Sequence, residues 1–587
     1  MNKIEKDIIL FLKKHPFYNQ RALAEEIGSS LGKTNQALHT LQDQGYLDME
    51  MCLTANAIQL LEIHRPKNAI ILAAGYGMRM IPINMETPKG LLQVNGEPLI
   101  ERIIRQLHKA GIQNITVIVG FLKESYEYLI DEFGVELLIN MEYSGKNNLH
   151  SLCLAEDRIE NTYIIPCDIW CGENPFHYNE LYSWYLVGEE NNEESDVRVN
   201  LKQELVKTDG MGNRMIGISY ITGNEAELLK KRMVEMDKDS RFQNCFWEEA
   251  LFSRDKMIVS ARMADSSSVH EINTYEELRE LDHSSRQLSS RPIQLIAKAL
   301  QVSEEEIENI TILKKGMTNR SFLFTCGQKQ YIMRIPGEGT EQLINRRQEY
   351  EVYQSMRGLN VSDEICYINP ENGYKITAYM KNARVCDAKN REDVRKCMQR
   401  LRSFHELELQ IGHNFELYEQ IELYESLWGG NPSCYRDYQE TKRKIYELKT
   451  YIDSQPKAHV LAHIDAVPDN FLFVKNQQGE QEIRLIDWEY AGMQDPHVDI
   501  AMFAIYAMYD REEVEVLIDA YFTEGCDFPT RLKIYCYIAV CGLLWSNWCE
   551  YKRLVGVEFG EYALKQYRYA KEYYQLVQEK LLEKENA

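Results

Sequence analysis

Apolar residues in the first 64 positions recur at helical spacing. Ile4, Ile8, Phe11 and Leu12 fall at i, i+4, i+7 and i+8, one face of a helix. A second helix carries Leu23 and Ile27 and stops at Gly28. A third follows Ser29 and Ser30 with Leu38 and Leu41 inward, and Gly45 then opens an extended segment over 46–53. The pattern changes at residues 68–72, a continuous apolar run of strand length that enters a glycine loop. Helices and strands alternate after it, with strands at 115–119 and 163–165, which predicts an open α/β sheet over 67–284. The Ser-rich stretch 283–291 reads as a linker. Residues 292–587 start with a helix, continue with strands around 321–324 and 331–335, and end in helix-rich sequence. The longest apolar run, 534–545, is short of the ~18–20 residues that span a bilayer and reads as a buried helix.

Composition narrows the picture. A chain of 587 residues has room for three or four domains, and 44% hydrophobic with 27% charged residues is a globular balance. The 67 Lys and Arg against 90 Asp and Glu give a net charge of −23, which argues against general affinity for nucleic acid or anionic membranes. Fourteen cysteines lie scattered; Cys167 and Cys171 are too sparse a grouping for zinc, so reduced thiols are expected. The first residues lack the basic-then-apolar layout of a signal peptide. The expectation is a cytoplasmic protein without membrane partners.

Residues 1–64 resemble a winged helix-turn-helix domain. Its reading helix would hold Lys33, Thr34, Asn35, Gln36 and His39. Six basic residues (3, 6, 13, 14, 21, 33) stand against eight acids (5, 7, 25, 26, 43, 48, 50, 62), a balance of −2, whereas DNA readers carry a basic face. Two roles follow, a docking or dimerisation module, which the charge favours, and DNA binding.

Two regions carry chemistry. After the first strand come Leu72, Ala73, Ala74, Gly75, Tyr76, Gly77, Met78 and Arg79, with Pro88 and Lys89 further on. Small residues let backbone N–H groups approach a triphosphate without Cβ obstruction. Arg79 offers a forked donor to its outer phosphates, and Lys89 a point charge where negative charge builds at the α-phosphate. The whole run, L-A-A-G-x-G-x-R…T-P-K-G-L-L-x-V-x-G-x-P-L-I-E, resembles sugar-phosphate and phosphocholine nucleotidyltransferases, and among them the bacterial phosphocholine cytidylyltransferases. The resemblance covers about 67–284, including the segment around Asn148 and Ser151 that approaches the nucleotide, 215–219, and 246–248. It implies a Rossmann-like sheet, with Asp168 at a strand end holding Mg²⁺. The second ligand would lie in 271–274 at Asn273, where cytidylyltransferases of this type tend to carry Asp.

The other region is an H-x-D-x-x-x-x-N loop with His463, Asp465 and Asn470, followed by two short strands and Asp487, Trp488 and Glu489. Kinase chemistry needs this order: Asp465 accepts the acceptor hydroxyl proton, Asn470 reaches Mg²⁺, and Asp487 bridges metal and phosphates. His463 and Asp499 read as structural supports of the loop. Upstream, a turn of Gly316, Met317, Thr318 and Asn319 would cover the phosphates, and Arg334 would bind phosphate and pair with Glu349. Arg at 334, where protein kinases place Lys, together with 337–346 and 485–501, resembles the bacterial choline-kinase group. A small β-rich lobe before a larger helical lobe fits that group. Trp545 and Trp548 at i, i+3, with Tyr490, Tyr562, Tyr567 and Tyr569, could cage a quaternary ammonium, which cannot hydrogen-bond and is held by aromatic faces and a carboxylate such as Glu489.

The expected chain is thus multidomain, mixed α/β and α+β. It has a winged-helix-like domain at 1–64, a nucleotidyltransferase at 67–284 and a two-lobed kinase-like domain at 292–587. The two resemblances imply consecutive reactions: choline and ATP give phosphocholine, then CTP and phosphocholine give CDP-choline and pyrophosphate. One alternative is a sugar- or aminoglycoside-directed kinase fused to a sugar-1-phosphate nucleotidyltransferase. Another is a winged-helix regulator with ligand-sensing domains, against which the intact Lys89, Asp168, Asp465, Asn470 and Asp487 argue. Oligomeric state and the choice of choline over ethanolamine stay open.

Overall fold

The structure is a computed structural model that describes residues 1–265, 268–313, 319–337, 340, 343–475 and 479–585. The chain forms two compact units, Met1–Gln294 and Leu295–Ala587.

In the first unit, helices Lys3–Lys14, Gln20–Glu26 and Leu31–Asp43 form where the apolar spacing places them, each opened by an Asn or Ser side chain that accepts a backbone N–H. The extended tail is only a bridge between Leu47 and Leu53, and a fourth helix, Ala55–Ile63, follows it. The sequence reading missed that helix because the exposed Ile58 and Ile63 blur the apolar face that Ala57, Leu60 and Leu61 make. The N-terminal core closes against the sheet region through Leu181 and Tyr182, and Tyr182 donates its hydroxyl to Asp7 at 2.8 Å. Tyr220 donates to the His64 carbonyl and the Asn161 amide to that of Ile63.

Among the described residues, ten strands form one mixed sheet. Its parallel part runs Glu136–Ile139, Asn114–Val119, Asn68–Ala73, Thr162–Pro166. Gly212–Ile221 then pairs antiparallel with Thr162–Pro166 and carries the sheet on to the remaining strands. Ala69, Ile71 and Ala73 face one core layer while Ile70, Leu72 and Ala74 face the other, so the first strand is buried on both sides and reads as a continuous apolar run. The stretch 283–291 is not a free linker. The Ser285 hydroxyl is buried and donates to the Gln93 carbonyl, and Asp282 accepts the Asn95 N–H at 2.7 Å. Serine composition alone does not register such bonds.

The second unit begins with a five-stranded antiparallel sheet in the order Ile307–Ile312, Asn319–Cys326, Lys329–Pro336, Lys375–Ala378, Ile365–Ile368. Helices make up most of the rest, centred on Phe528–Leu554, whose residues from Leu532 to Glu550 are all buried. A helix apolar on every side belongs inside a core. Among the described residues no helix is long and apolar enough to cross a membrane.

Candidate active sites

The first site lies where the strands Asn68–Ala73 and Thr162–Pro166 end. Gly77 adopts φ +63°, the left-handed region that glycine enters without Cβ strain, and the Lys89 stem passes 3.5 Å from where a Cβ would stand. Behind the loop, the buried Asn84 side chain donates to the carbonyls of Tyr76 and Gly77 at 2.9 and 3.0 Å. Lys89 Nζ ion-pairs with Asp168 Oδ2 and donates to Asn273 Oδ1 at 2.7 Å, and Arg79 donates to the same oxygen at 3.1 Å. Four residues spread over about two hundred positions thus meet at one point. Asn273 is brought there because Val269–Glu271 pairs with Ile169–Cys171 and the Ile272 N–H donates to the Asp168 carbonyl. The second carboxylate oxygen of Asp168 is buried and has no hydrogen-bond partner among the described residues.

Two further acids stand close. Burial and the Asp168 charge push the Glu271 carboxyl up. Glu248 accepts the Tyr185 hydroxyl at 3.0 Å, and burial pushes its carboxyl up to about 7.

The second site is built on strain held in place. Ile464 adopts φ +67°, unfavourable for a β-branched residue. Asp499 supports it by accepting the N–H groups of His463 and Ile464 at 2.8 and 2.7 Å, and His405 donates to Asp499. The His463 ring bonds the Ile486 carbonyl, and burial lowers its pKa to about 4, so it stays neutral. This scaffold presents Asp465, to which Asn470 donates at 2.9 Å on the carbonyl and 3.1 Å on the carboxylate. Burial, with the charges of Asp487 and Glu489, raises the Asp465 carboxyl well above the usual range. Asp487, at φ +66°, is pushed up to about 7 by burial and by Glu489.

On the opposite wall Arg334 binds Glu349 at 2.5 and 2.8 Å, and against its burial Glu349 is held down at about 2 by that guanidinium. Arg346 adds bonds to Glu349 at 2.9 Å and Glu489 at 3.1 Å. Gly373 makes room for this wall: a Cβ there would stand 2.5 Å from Arg346 Cδ.

Residues 310–524 match the family model for choline/ethanolamine kinase, 69–174 that for a MobA-like NTP transferase domain, and 1–48 that for winged helix-turn-helix DNA-binding. A choline-phosphate cytidylyltransferase of Streptococcus pneumoniae is 32% identical over 228 residues, covering 36% of this chain and 96% of the relative. The chain belongs to the choline-phosphate cytidylyltransferase family. A 2-aminoethylphosphonate cytidylyltransferase of Lancefieldella rimae is also 32% identical over 226 residues, covering 37% of this chain and 92% of the relative. Protein LicA of Haemophilus influenzae is 27% identical over 266 residues, covering 42% and 95%. A choline-phosphate cytidylyltransferase domain and a choline kinase domain are therefore joined behind a winged helix-turn-helix.

Within the cytidylyltransferase half, the structure gathers Arg79, Lys89, Asp168 and Asn273, but Asn148 and Ser151 make bonds that fix the chain itself. Asn148 accepts the Trp247 N–H at 2.8 Å, and the buried Ser151 accepts from Asn140 at 3.0 Å. Sequence reasoning missed Asn84 and gave Glu248 no role, since a lone Asn or Glu carries no spacing signal.

In the kinase half, Thr318 and its turn neighbours Gly316 and Met317 lie outside the described residues, as do 338, 339, 341 and 342. Glu489, expected beside the rings, accepts from Asn319 at 2.9 Å and from Arg346 at 3.1 Å. The aromatic array forms with a changed membership. Tyr490 to Trp545 is 5.8 Å between ring centres, Trp545 to Trp548 5.3 Å, Trp548 to Phe559 5.1 Å, and Tyr562 meets Phe559 and Tyr506. Tyr567 is elsewhere, stacked on Tyr435 at 3.8 Å and bonded to Asp437 and Thr441, and Tyr569 donates to the Tyr509 carbonyl. Tyr506 and Phe559 were missed, since neither shares a helical repeat with the tryptophans.

Proposed function

We propose that the chain makes CDP-choline in two steps, phosphorylating choline with ATP in its second unit and transferring CMP from CTP to phosphocholine in its first. The observation that carries the reading is that one chain brings together two different charged clusters, one around Lys89 and Asp168 and one around Asp465 and Asp487.

In the first site the loop from Leu72 through Ala73, Ala74, Gly75 and Gly77 takes the triphosphate, Arg79 its outer phosphates and Lys89 the α-phosphate, where charge develops as phosphocholine oxygen attacks. Asn148 and Ser151 hold the helix beside the base. The relatives act, by name, on choline phosphate and 2-aminoethylphosphonate, both zwitterions with a cationic head. Glu248 and Glu271 supply carboxylates for such a head.

In the second site Asp465 accepts the choline hydroxyl proton, with Asn470 fixing its orientation. Arg334, Glu349, Asn319 and Thr318 serve the nucleotide, and Tyr490, Trp545, Trp548 and Tyr562 face the trimethylammonium. A raised pKa suits a base that must bind a proton in the transition state.

Mg²⁺ fits both sites. Asp168 keeps an unpartnered buried oxygen, and Asp487 shares with Glu489 a charge density that a dication would relieve. A metal held by one or two protein oxygens and by substrate phosphates suits such sites. Asp168 and Asn273 would hold it in the first site, Asn470 and Asp487 in the second; when bound it neutralises phosphate charge.

A ³¹P NMR time course with Mg²⁺, choline, ATP and CTP tests the reading. Phosphocholine should appear first, then CDP-choline and pyrophosphate; phosphocholine alone would overturn the assignment of the first site, and neither product the whole proposal. The N-terminal domain is read as a docking module, because the segments that would meet a duplex carry Asp43, Asp48 and Glu50.

A further inference from the structure

The helix Phe528–Leu554 carries Trp545, Trp548 and Lys552 at i, i+3 and i+7, one face of the helix. The Lys552 ammonium stands 5.5 Å from the centre of the Trp548 ring and 5.9 Å from that of Tyr551, within cation–π range. It is half-buried, and among the described residues it has no ion-pair partner. A lysine in the last turn is favoured by the helix dipole alone, but that effect asks only for an exposed cation near the carbonyls. Here the cation leans on an aromatic face at a desolvation cost that lowers its pKa. Glu489, the acid whose charge reaches it, already accepts from Asn319 and Arg346.

We propose that Lys552 is an internal competitor for the acceptor cage, its ammonium holding the Trp548 face that the acceptor's cationic head would take, so that it weakens binding of cationic acceptors and thereby sets the KM. This rests on the choline reading of the second site. Two cations cannot share one ring face, and a protonated lysine beside the cage repels an arriving ammonium. The contacts of Lys552 are with the Trp548 and Tyr551 rings, so its influence falls on binding and leaves the phosphoryl-transfer step alone.

The test is steady-state kinetics of the full chain with Lys552→Gln, Lys552→Arg and wild type, using choline and its neutral isostere 3,3-dimethylbutan-1-ol. Lys552→Gln keeps the length of the stem and removes the charge. Its KM for choline should fall about three- to tenfold with kcat unchanged, the KM for the neutral alcohol should stay within about twofold, and Lys552→Arg should resemble wild type. An unchanged choline KM in Lys552→Gln would overturn the inference. So would a raised one, which would make Lys552 a binding residue, or an equal shift for both acceptors, which would make its effect one of packing. Wild type that phosphorylates neither acceptor would refute the choline reading itself, a separate outcome.

Discussion

The two sites solve the same electrostatic problem with opposite balances. Around Asp168 one carboxylate oxygen is paired by Lys89, and a neutral Asn273 accepts from Lys89 and Arg79. Around Asp465 burial and the charges of Asp487 and Glu489 act together, and both Asp465 and Asp487 are raised. The first arrangement is already assembled by the protein's own lysine and waits for a polyanion. The second sets raised carboxyls against the buried cations Arg334 and Arg346, and a dication would relieve the charge that remains on Asp465 and Asp487. The difference teaches that a nucleotide site can be preformed by cations or by the demand for them, and that the two should respond differently to mutation.

The largest expected effect separates the halves. Asp465→Ala should lower phosphocholine formation by about 10³-fold or more while CDP-choline still forms from added phosphocholine, and Asp168→Ala should do the reverse. Loss of both activities from either change in a folded protein would break the comparison. Lys89→Met should lower cytidylyl transfer by about 10²-fold, since it removes the charge at the α-phosphate; phosphocholine formation measured in the same sample is the control.

A pH measurement sharpens the contrast. Glu248 is raised from 4.5 to about 7 in the fold, so the protonated form is favoured by the native state. Its contribution to stability is present in full below about 4.5 and is lost as pH rises through about 7, a change of about 3 kcal/mol. Glu248→Gln should flatten that decline in urea unfolding of the first unit between pH 5 and 8; an unaltered slope would show that another group carries it.

Gly373→Ala should cost about 2 kcal/mol in the second unit, because φ +70° and a Cβ 2.5 Å from Arg346 are both unfavourable. Denaturant melting of that unit reads it, with the first unit unchanged. The smallest effect is expected for Asn273→Asp, which adds a negative charge to the cation-rich site. It should reduce the Mg²⁺ concentration needed for half-maximal cytidylyl transfer by a few-fold. A rise instead would mean that the new charge only tightens its grip on Lys89.

Much of this was readable in the chain. The apolar run before Gly75 and Gly77, and the spacing from His463 through Asp465 to Asn470, are local signals, and local signals survive without a fold. The fourth N-terminal helix was not read: its inward positions, Ala57, Leu60 and Leu61, keep helical spacing, but the exposed Ile58 and Ile63 blur the apolar face. Nor was the placement of Tyr567, since two tyrosines five residues apart on one helix, Tyr562 and Tyr567, face different neighbours.

The sequence by itself determined the parts: which strand ends in glycines, which acids stand at hairpin spacing, and that two phosphate chemistries share a chain. Only the tertiary structure decided their company. It set Asn273 beside Lys89 across 184 positions, committed Glu489 to Arg346, seated Lys552 on Trp548, and joined the N-terminal core to Leu181 and Tyr182. The physical reason is that backbone geometry and apolar period are written within a few residues. Charge pairing and burial depend on which distant segments the sheets and helices bring within a few ångströms.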